Sequence, residues 1–130
     1  MKKVFLGGTC NGSHWRDEVI KKLTINFFHP CGKDWTPAMM EEELKQRAGC
    51  DFCLYVLTPM MEGFYSVAEL IDDSNKQPGK TIFCFLVADN GKNFSEFQLR
   101  SLEQVANMVQ RNGARYFKTL PEVIDFLNQQ

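Results

Sequence analysis

Two stretches of the chain hold residues whose types and spacing suit chemistry. The first is Gly7-Gly8-Thr9-Cys10-Asn11-Gly12-Ser13, with Arg16 three residues on. Glycines let a backbone come close to a ligand, and free N–H groups at the start of a following helix attract an anion. Arg16, one turn into that helix, can pair with a phosphate or a carboxylate. The stretch is neither a Walker loop nor a GxGxxG fingerprint, so a plain tight turn with a surface arginine explains it equally well. The second stretch runs from Thr58-Pro59 through Gly63, Tyr65 and Ser66 to Glu69. A carboxylate on the first turns of a helix is most often solvated. The glycine loop and Arg16, facing Glu69 across one crevice, make it a candidate nucleophile.

These stretches need a frame, and the hydrophobic pattern supplies one. Residues 2–7 read as a buried strand running into the glycine turn. Ser13 can cap a helix over 14–24, where Trp15, Val19, Ile20 and Leu23 share a face. Residues 25–28 read as a second strand closed by Pro30 and Gly32. Thr36-Pro37 marks an N-cap with proline at the first helical position, and that helix ends near Gly49. Residues 52–57 and 81–87 are continuous apolar runs without alternation, as in parallel strands covered on both faces. A helix over 65–76 lies between them. A polar segment at 89–93 precedes a long amphipathic helix over 95–111, closed by Asn112-Gly113. Residues 115–117 read as an edge strand, and Leu120-Pro121 opens a last helix.

Five strands alternating with five helices predict an α/β chain with right-handed crossovers and a parallel sheet. The expected architecture is a flavodoxin-like or Rossmann-like three-layer sandwich of order 2-1-3-4-5, as one domain over 1–130. Ligands in such sheets sit beyond the strand C-terminal ends, at the switch point, where both chemical stretches converge.

Bulk properties narrow the function classes. The chain has 130 residues, 44% hydrophobic, with 15 basic and 16 acidic side chains and a net charge of -1. That balance gives no field for a long nucleic acid or a membrane surface. The apolar run after Lys2-Lys3 is too short for a signal peptide, and no window approaches a membrane span. Cys10, Cys31, Cys50, Cys53 and Cys84 show no framework spacing, which reads as reduced thiols in the cytoplasm. Cys50-x-x-Cys53 has redox spacing, yet Cys53 lies inside an apolar strand, as buried structural cysteines do. A zinc site would have only His14 and His29 to add to the thiols. The Asp72-Asp73 pair and the Glu41–Glu43 run are best explained as solvated helix faces, so no metal is expected.

In register, three features carry a family resemblance. They are the strand and glycine loop from Val4 to Arg16, the spacing of Glu43-Leu44 to the strand-opening Asp51, and the Val56–Pro59 loop followed by Ser66 and Glu69. With these, the chain resembles the nucleoside 2-deoxyribosyltransferase-like proteins, including the deoxynucleoside-monophosphate N-glycosidases. The Val4–Arg16 and Asp34-Trp35 stretches look closest to a short branch of that family.

The resemblance implies a double displacement at the anomeric carbon of a (deoxy)ribosyl group. Glu69 would attack C1′ and expel the base, and Glu43 would be the second carboxylate, on sugar or base. Gly7, Gly8, Thr9, Asn11, Ser13 and Ser66 would hold the sugar or a 5′-phosphate, which Arg16 would favour over a bare hydroxyl. Trp35 and Asp51 complete the implied substrate-binding set. Tyr65 or Trp35 could stack on a base, but each such residue is more often a core or rim aromatic. No cofactor is needed, and family members form homo-oligomers in which a neighbour completes the pocket. The chain departs from the family pattern at Gly63, Tyr65 and Ile71. These departures favour an alternative, a non-catalytic module of the same fold that captures a nucleotide or nucleotide-derived signal. Glu69, Ser66 and Glu43 favour the enzyme. A third reading is an unrelated flavodoxin-like signalling domain without nucleoside affinity.

Overall fold

The computed structural model describes residues 1–30 and 36–130. In chain order the elements are β1 (Lys3–Gly8), α1 (Trp15–Lys22), β2 (Asn26–Phe28), α2 (Pro37–Gly49), β3 (Phe52–Leu57), α3 (Tyr65–Lys76), β4 (Thr81–Phe85), β5 (Ala88–Asp89), β6 (Lys92–Asn93), α4 (Glu96–Arg111), β7 (Arg115–Tyr116) and α5 (Leu120–Asn128), with a 3₁₀ turn at Pro78–Lys80 before β4. The main sheet has the order β2-β1-β3-β4-β7, and all its pairings are parallel. This is the expected 2-1-3-4-5 arrangement, with β7 as the fifth strand.

Residue alternation along the strands builds two cores. Val4, Leu6, Phe52, Leu54, Val56 and Ile82 face α1 and α5. Phe5, Cys53, Tyr55, Leu57 and Phe83 face the other way, toward α3 and α4. All six residues of β3 are buried, which is why its sequence lacks polar alternation. Thr36 caps α2 by accepting from the Met39 N–H at 3.2 Å. Ser95 and Gln98 form a reciprocal capping box at the start of α4. No helix among the described residues is long and apolar enough to cross a membrane.

Several expectations change. The first helix begins at Trp15 with His14 as N-cap, and no side chain caps it. The Ser13 hydroxyl instead accepts from the Trp15 N–H at 3.4 Å. The fourth strand stops at Phe85, and the polar segment after it is an antiparallel β5–β6 hairpin. Asn90 (φ 48°) and Gly91 (φ +81°) make its turn, in the left-handed conformation that an Asn-Gly pair adopts easily. Cys50, Cys53 and Cys84 are free and buried, as expected, but Cys10 is disulfide-bonded. A set of cysteines without framework spacing conceals such a bridge, because proximity is set by the fold. Cys31, Asp34 and Trp35 lie outside the described residues.

The tightest packing is where β1 meets β3. A Cβ on Gly8 (φ +111°) would lie 2.1 Å from the Val56 carbonyl oxygen. Gly8→Ala should therefore lower stability by about 3 kcal/mol or more in urea unfolding. Gly49, at the end of α2, has open space where a Cβ would sit, with nothing within 4 Å. Gly49→Ala should be neutral or stabilising by up to about 1 kcal/mol in the same assay.

Candidate active site

The glycine loop leaves β1 under close control. Thr9 N–H donates to the Val56 carbonyl at 2.9 Å, and Thr58 N–H donates to the Thr9 hydroxyl at 2.9 Å. These bonds fasten the ends of β1 and β3 side by side. Gly7 is required by packing, since a Cβ there would fall 2.7 Å from the Tyr55 ring. The loop carbonyls are gathered from below by Arg16. Its guanidinium donates to Leu6 O at 2.9 Å, to Gly8 O at 3.3 Å and to Thr9 O. The Trp15 indole N–H also donates to Thr9 O, at 2.8 Å.

Two clefts open above this platform. One, of about 260 Å³, is walled by Gly8 to Asn11 of the loop, by Met61, Glu62 and Gly63 after β3, and by Tyr65, Ser66 and Glu69 of α3. The other, of about 360 Å³, lies between α2 and α3 and is walled by Met40, Glu43, Leu44, Tyr65 and Glu69. Glu69 and Tyr65 belong to both. A ligand spanning the two clefts would lie across the Glu69 carboxyl group.

Burial pushes the Glu69 pKa up to about 7, Arg47 opposes that rise, and Asp73 and Glu43 add to it. A carboxyl in this range exchanges its proton near neutrality. Burial also raises Glu43, with Arg16 opposing. Arg16 is brought down to about 10 by its own burial, against the pull of Glu43, and stays charged at neutral pH.

Beneath Glu69 lies a polar cluster. Arg47 of α2 donates to both carboxylate oxygens of Asp73, at 3.1 and 2.8 Å, and to Asp72 at 3.0 Å. It also reaches the Tyr55 hydroxyl at 3.1 Å and the Glu69 backbone carbonyl at 3.3 Å. The Tyr55 hydroxyl donates to Asp73. Asp73 and Tyr55 raise the Arg47 pKa beyond what burial takes away. Asp73, expected on a solvated helix face, is buried instead, and the sequence singled out neither Arg47 nor Tyr55. A usable signal existed: a tyrosine in an otherwise apolar buried strand must find a partner for its hydroxyl.

The structure brings together Gly8, Thr9, Asn11, Ser66 and Glu69 in the first cleft, and Glu43 with Glu69 in the second. Gly7, Ser13 and Arg16 line neither. Arg16 is 4% exposed and turned inward, where its guanidinium supports the loop carbonyls. Asp51 is also elsewhere. Its carboxylate accepts from the Lys3 N–H at 2.9 Å, at the N-terminal end of the sheet. The length of β3 puts it roughly 20 Å from the clefts. Trp35 lies outside the described residues. Among the described residues, no three His, Cys, Asp or Glu side chains are grouped to hold a metal ion.

The buried Glu69 makes a stability prediction. Its folded pKa of about 7 exceeds its ordinary value of 4.5, so the folded state favours the protonated form. Any stability linked to that proton is complete below pH 4.5 and is lost as pH rises through 7. Glu69→Gln should therefore stabilise the fold by about 2 kcal/mol at pH 8. The gain should vanish at the acid end, as measured by urea unfolding across pH.

No curated protein shows significant similarity to the chain. The family described as nucleoside 2-deoxyribosyltransferase like does match, over residues 1–86. The matched segment contains every residue named on the walls of both clefts and all three stretches that carry the resemblance. With its sheet order, its paired clefts and this match, the chain belongs to the nucleoside 2-deoxyribosyltransferase-like family.

Proposed function

We propose that the chain breaks the N-glycosidic bond of a (deoxy)nucleoside or its 5′-monophosphate, passing the sugar to a second base or to water. The observation that carries this reading is the Glu69 carboxyl at the junction of two clefts, its side chain 18% exposed. One cleft suits a sugar, with Asn11 and Ser66 as hydrogen-bonding groups. The other, with Met40 and Leu44, suits the flat apolar faces of a base.

In the proposed reaction an ionised Glu69 oxygen bonds to C1′ as the C1′–N bond breaks. The electron pair of that bond leaves with the base, which takes a proton from an acid. Glu43, which shares the second cleft with Glu69, is the carboxyl assigned that role in this reading. The glycosyl ester is then opened at C1′ by a second base or by water, which returns Glu69 as a carboxylate and restores the proton.

The charges on the clefts favour the free nucleoside over its monophosphate. Their described walls carry Glu43, Glu62 and Glu69 and no Lys, Arg or His. Arg16, the cation the sequence offered for a phosphate, is committed to backbone carbonyls. The homo-oligomer belongs to the same reading, supported by Phe64 and Tyr65, which are 77% and 70% exposed beside the cleft mouth.

One observation favours a second reading, a binding module. A carboxyl with a pKa of about 7 is partly protonated at neutral pH and can donate a hydrogen bond to a base without attacking its sugar. A 2-fluoro-2-deoxynucleoside separates the two, since only the enzyme accumulates an ester on Glu69 detectable by mass spectrometry.

The direct test is incubation with deoxynucleosides and their 5′-monophosphates, with and without an acceptor base, read by chromatography. Free base or an exchanged nucleoside is expected, with deoxynucleosides preferred. Glu69→Ala should reduce the rate by at least about a thousandfold. Turnover should climb with pH through about 7 as Glu69 ionises. Ligand-induced stabilisation without turnover would replace the enzyme by the binding module.

A further inference from the structure

We propose that Arg47 and Asp73 form a positioning pair for Glu69, in which Asp73 occupies the guanidinium fork so that Arg47 supports the Glu69 carboxylate from 3.9 Å without capping it. This rests on the reading of Glu69 as nucleophile.

The geometry separates two tasks that one arginine could confuse. An arginine fork binds a carboxylate through two parallel charge-assisted bonds. Those bonds would occupy the oxygen that must reach C1′. They would also weaken on attack, when the carboxylate charge disappears into the ester, and so would favour the ground state. Here the fork is taken by Asp73, with Nε on one oxygen at 3.1 Å and Nη2 on the other at 2.8 Å. Asp73 is itself 3% exposed and held by the Tyr55 hydroxyl and by the Gln77 amide at 3.1 Å. The guanidinium is therefore fixed from three sides, and Glu69 receives its charge but not its fork.

The spacing on α3 makes this possible. Glu69 and Asp73 are four residues apart, so their side chains lie on one face of the helix. Arg47 also bonds the Glu69 carbonyl at 3.3 Å, which ties the backbone of the nucleophile to α2. The charged groups acting on Glu69 are Arg47 and Glu43 from α2 and Asp73 from α3; Glu62, from the loop after β3, shares its first cleft, and Asp72 of α3 and Tyr55 of β3 bond Arg47. Arg47 is the one cation among these described neighbours.

The two members of the pair act on Glu69 with opposite sign, which gives a test that a merely structural role would not pass. The Glu69 carboxyl is titrated by ¹³C NMR in the full chain, assigned with Glu69→Gln, in wild type, Arg47→Met, Arg47→Lys and Asp73→Asn. The pH–rate profile is measured on the best deoxynucleoside for the same proteins. Arg47→Met should move the Glu69 titration and the acid limb of kcat to higher pH by about one unit. Asp73→Asn should move both to lower pH. It should also lower plateau kcat by about tenfold with little change in KM, because the vacated fork closes on Glu69. Arg47→Lys should hold the titration near wild type, since it keeps the charge, yet lose plateau rate, since it lacks the fork. If Arg47→Met does not fold, Asp73→Asn and Arg47→Lys still decide. Shifts in the same direction, or an unmoved Glu69 in folded Asp73→Asn, would overturn the pair even if wild type turns over. Opposed shifts in a wild type without turnover would instead remove Glu69's role as nucleophile and leave the electrostatic pairing standing.

Discussion

The contact on which the rest of the structure depends is that of two backbones, Gly8 against Val56. No side chain fits between them, and the Thr9 N–H closes the gap with a bond to the Val56 carbonyl. The ends of two neighbouring parallel strands are thereby held together while their loops diverge. One loop goes forward into α1 and the other into α3. The cleft is the space this divergence leaves, so its shape is set by backbone rather than by flexible side chains. Arg16 completes the arrangement from beneath by donating to the Leu6, Gly8 and Thr9 carbonyls.

Placing a carboxyl at that junction has an energetic consequence. Glu69 is withdrawn from water and held near its proton-exchange point, which disfavours the ionised fold at neutral pH. The compensation lies one turn further along α3. Asp73, Tyr55 and Arg47 satisfy one another's donors and acceptors in a buried network, and a network that is fully satisfied rigidifies its surroundings. Local strain at the site and order beneath it are thus parts of the same arrangement.

The sheet was legible in the sequence because β3 and β4 need no polar face, and their unbroken apolar runs say so. Strand order followed from alternation and handedness. The convergence of Glu69 and Ser66, which follow β3, with Asn11, which follows β1, on one cleft was legible from their places in the chain. The main-chain partners of Arg16 and Asp51 were not legible, because a charged residue near a loop looks the same whether it points to a cleft or to the backbone. Only the fold reveals that the Arg16 donors meet Leu6, Gly8 and Thr9 carbonyls. Arg47 and Asp73 were hidden for a related reason. They are 26 residues apart and sit in runs of ordinary helical charges, and nothing local marks them as partners. The Asn90-Gly91 turn was readable, and a polar composition concealed it.

The β5–β6 hairpin reaches back to a part of the chain far from it in sequence. It lies beyond the residues that match the family, yet the Asn90 amide donates to the Gly12 carbonyl at 3.3 Å, in the loop that walls the first cleft. A displacement of the hairpin tip is therefore carried to that loop through the hydrogen bond, so Asn90 acts as a strut for one wall of the cleft from a distant part of the chain.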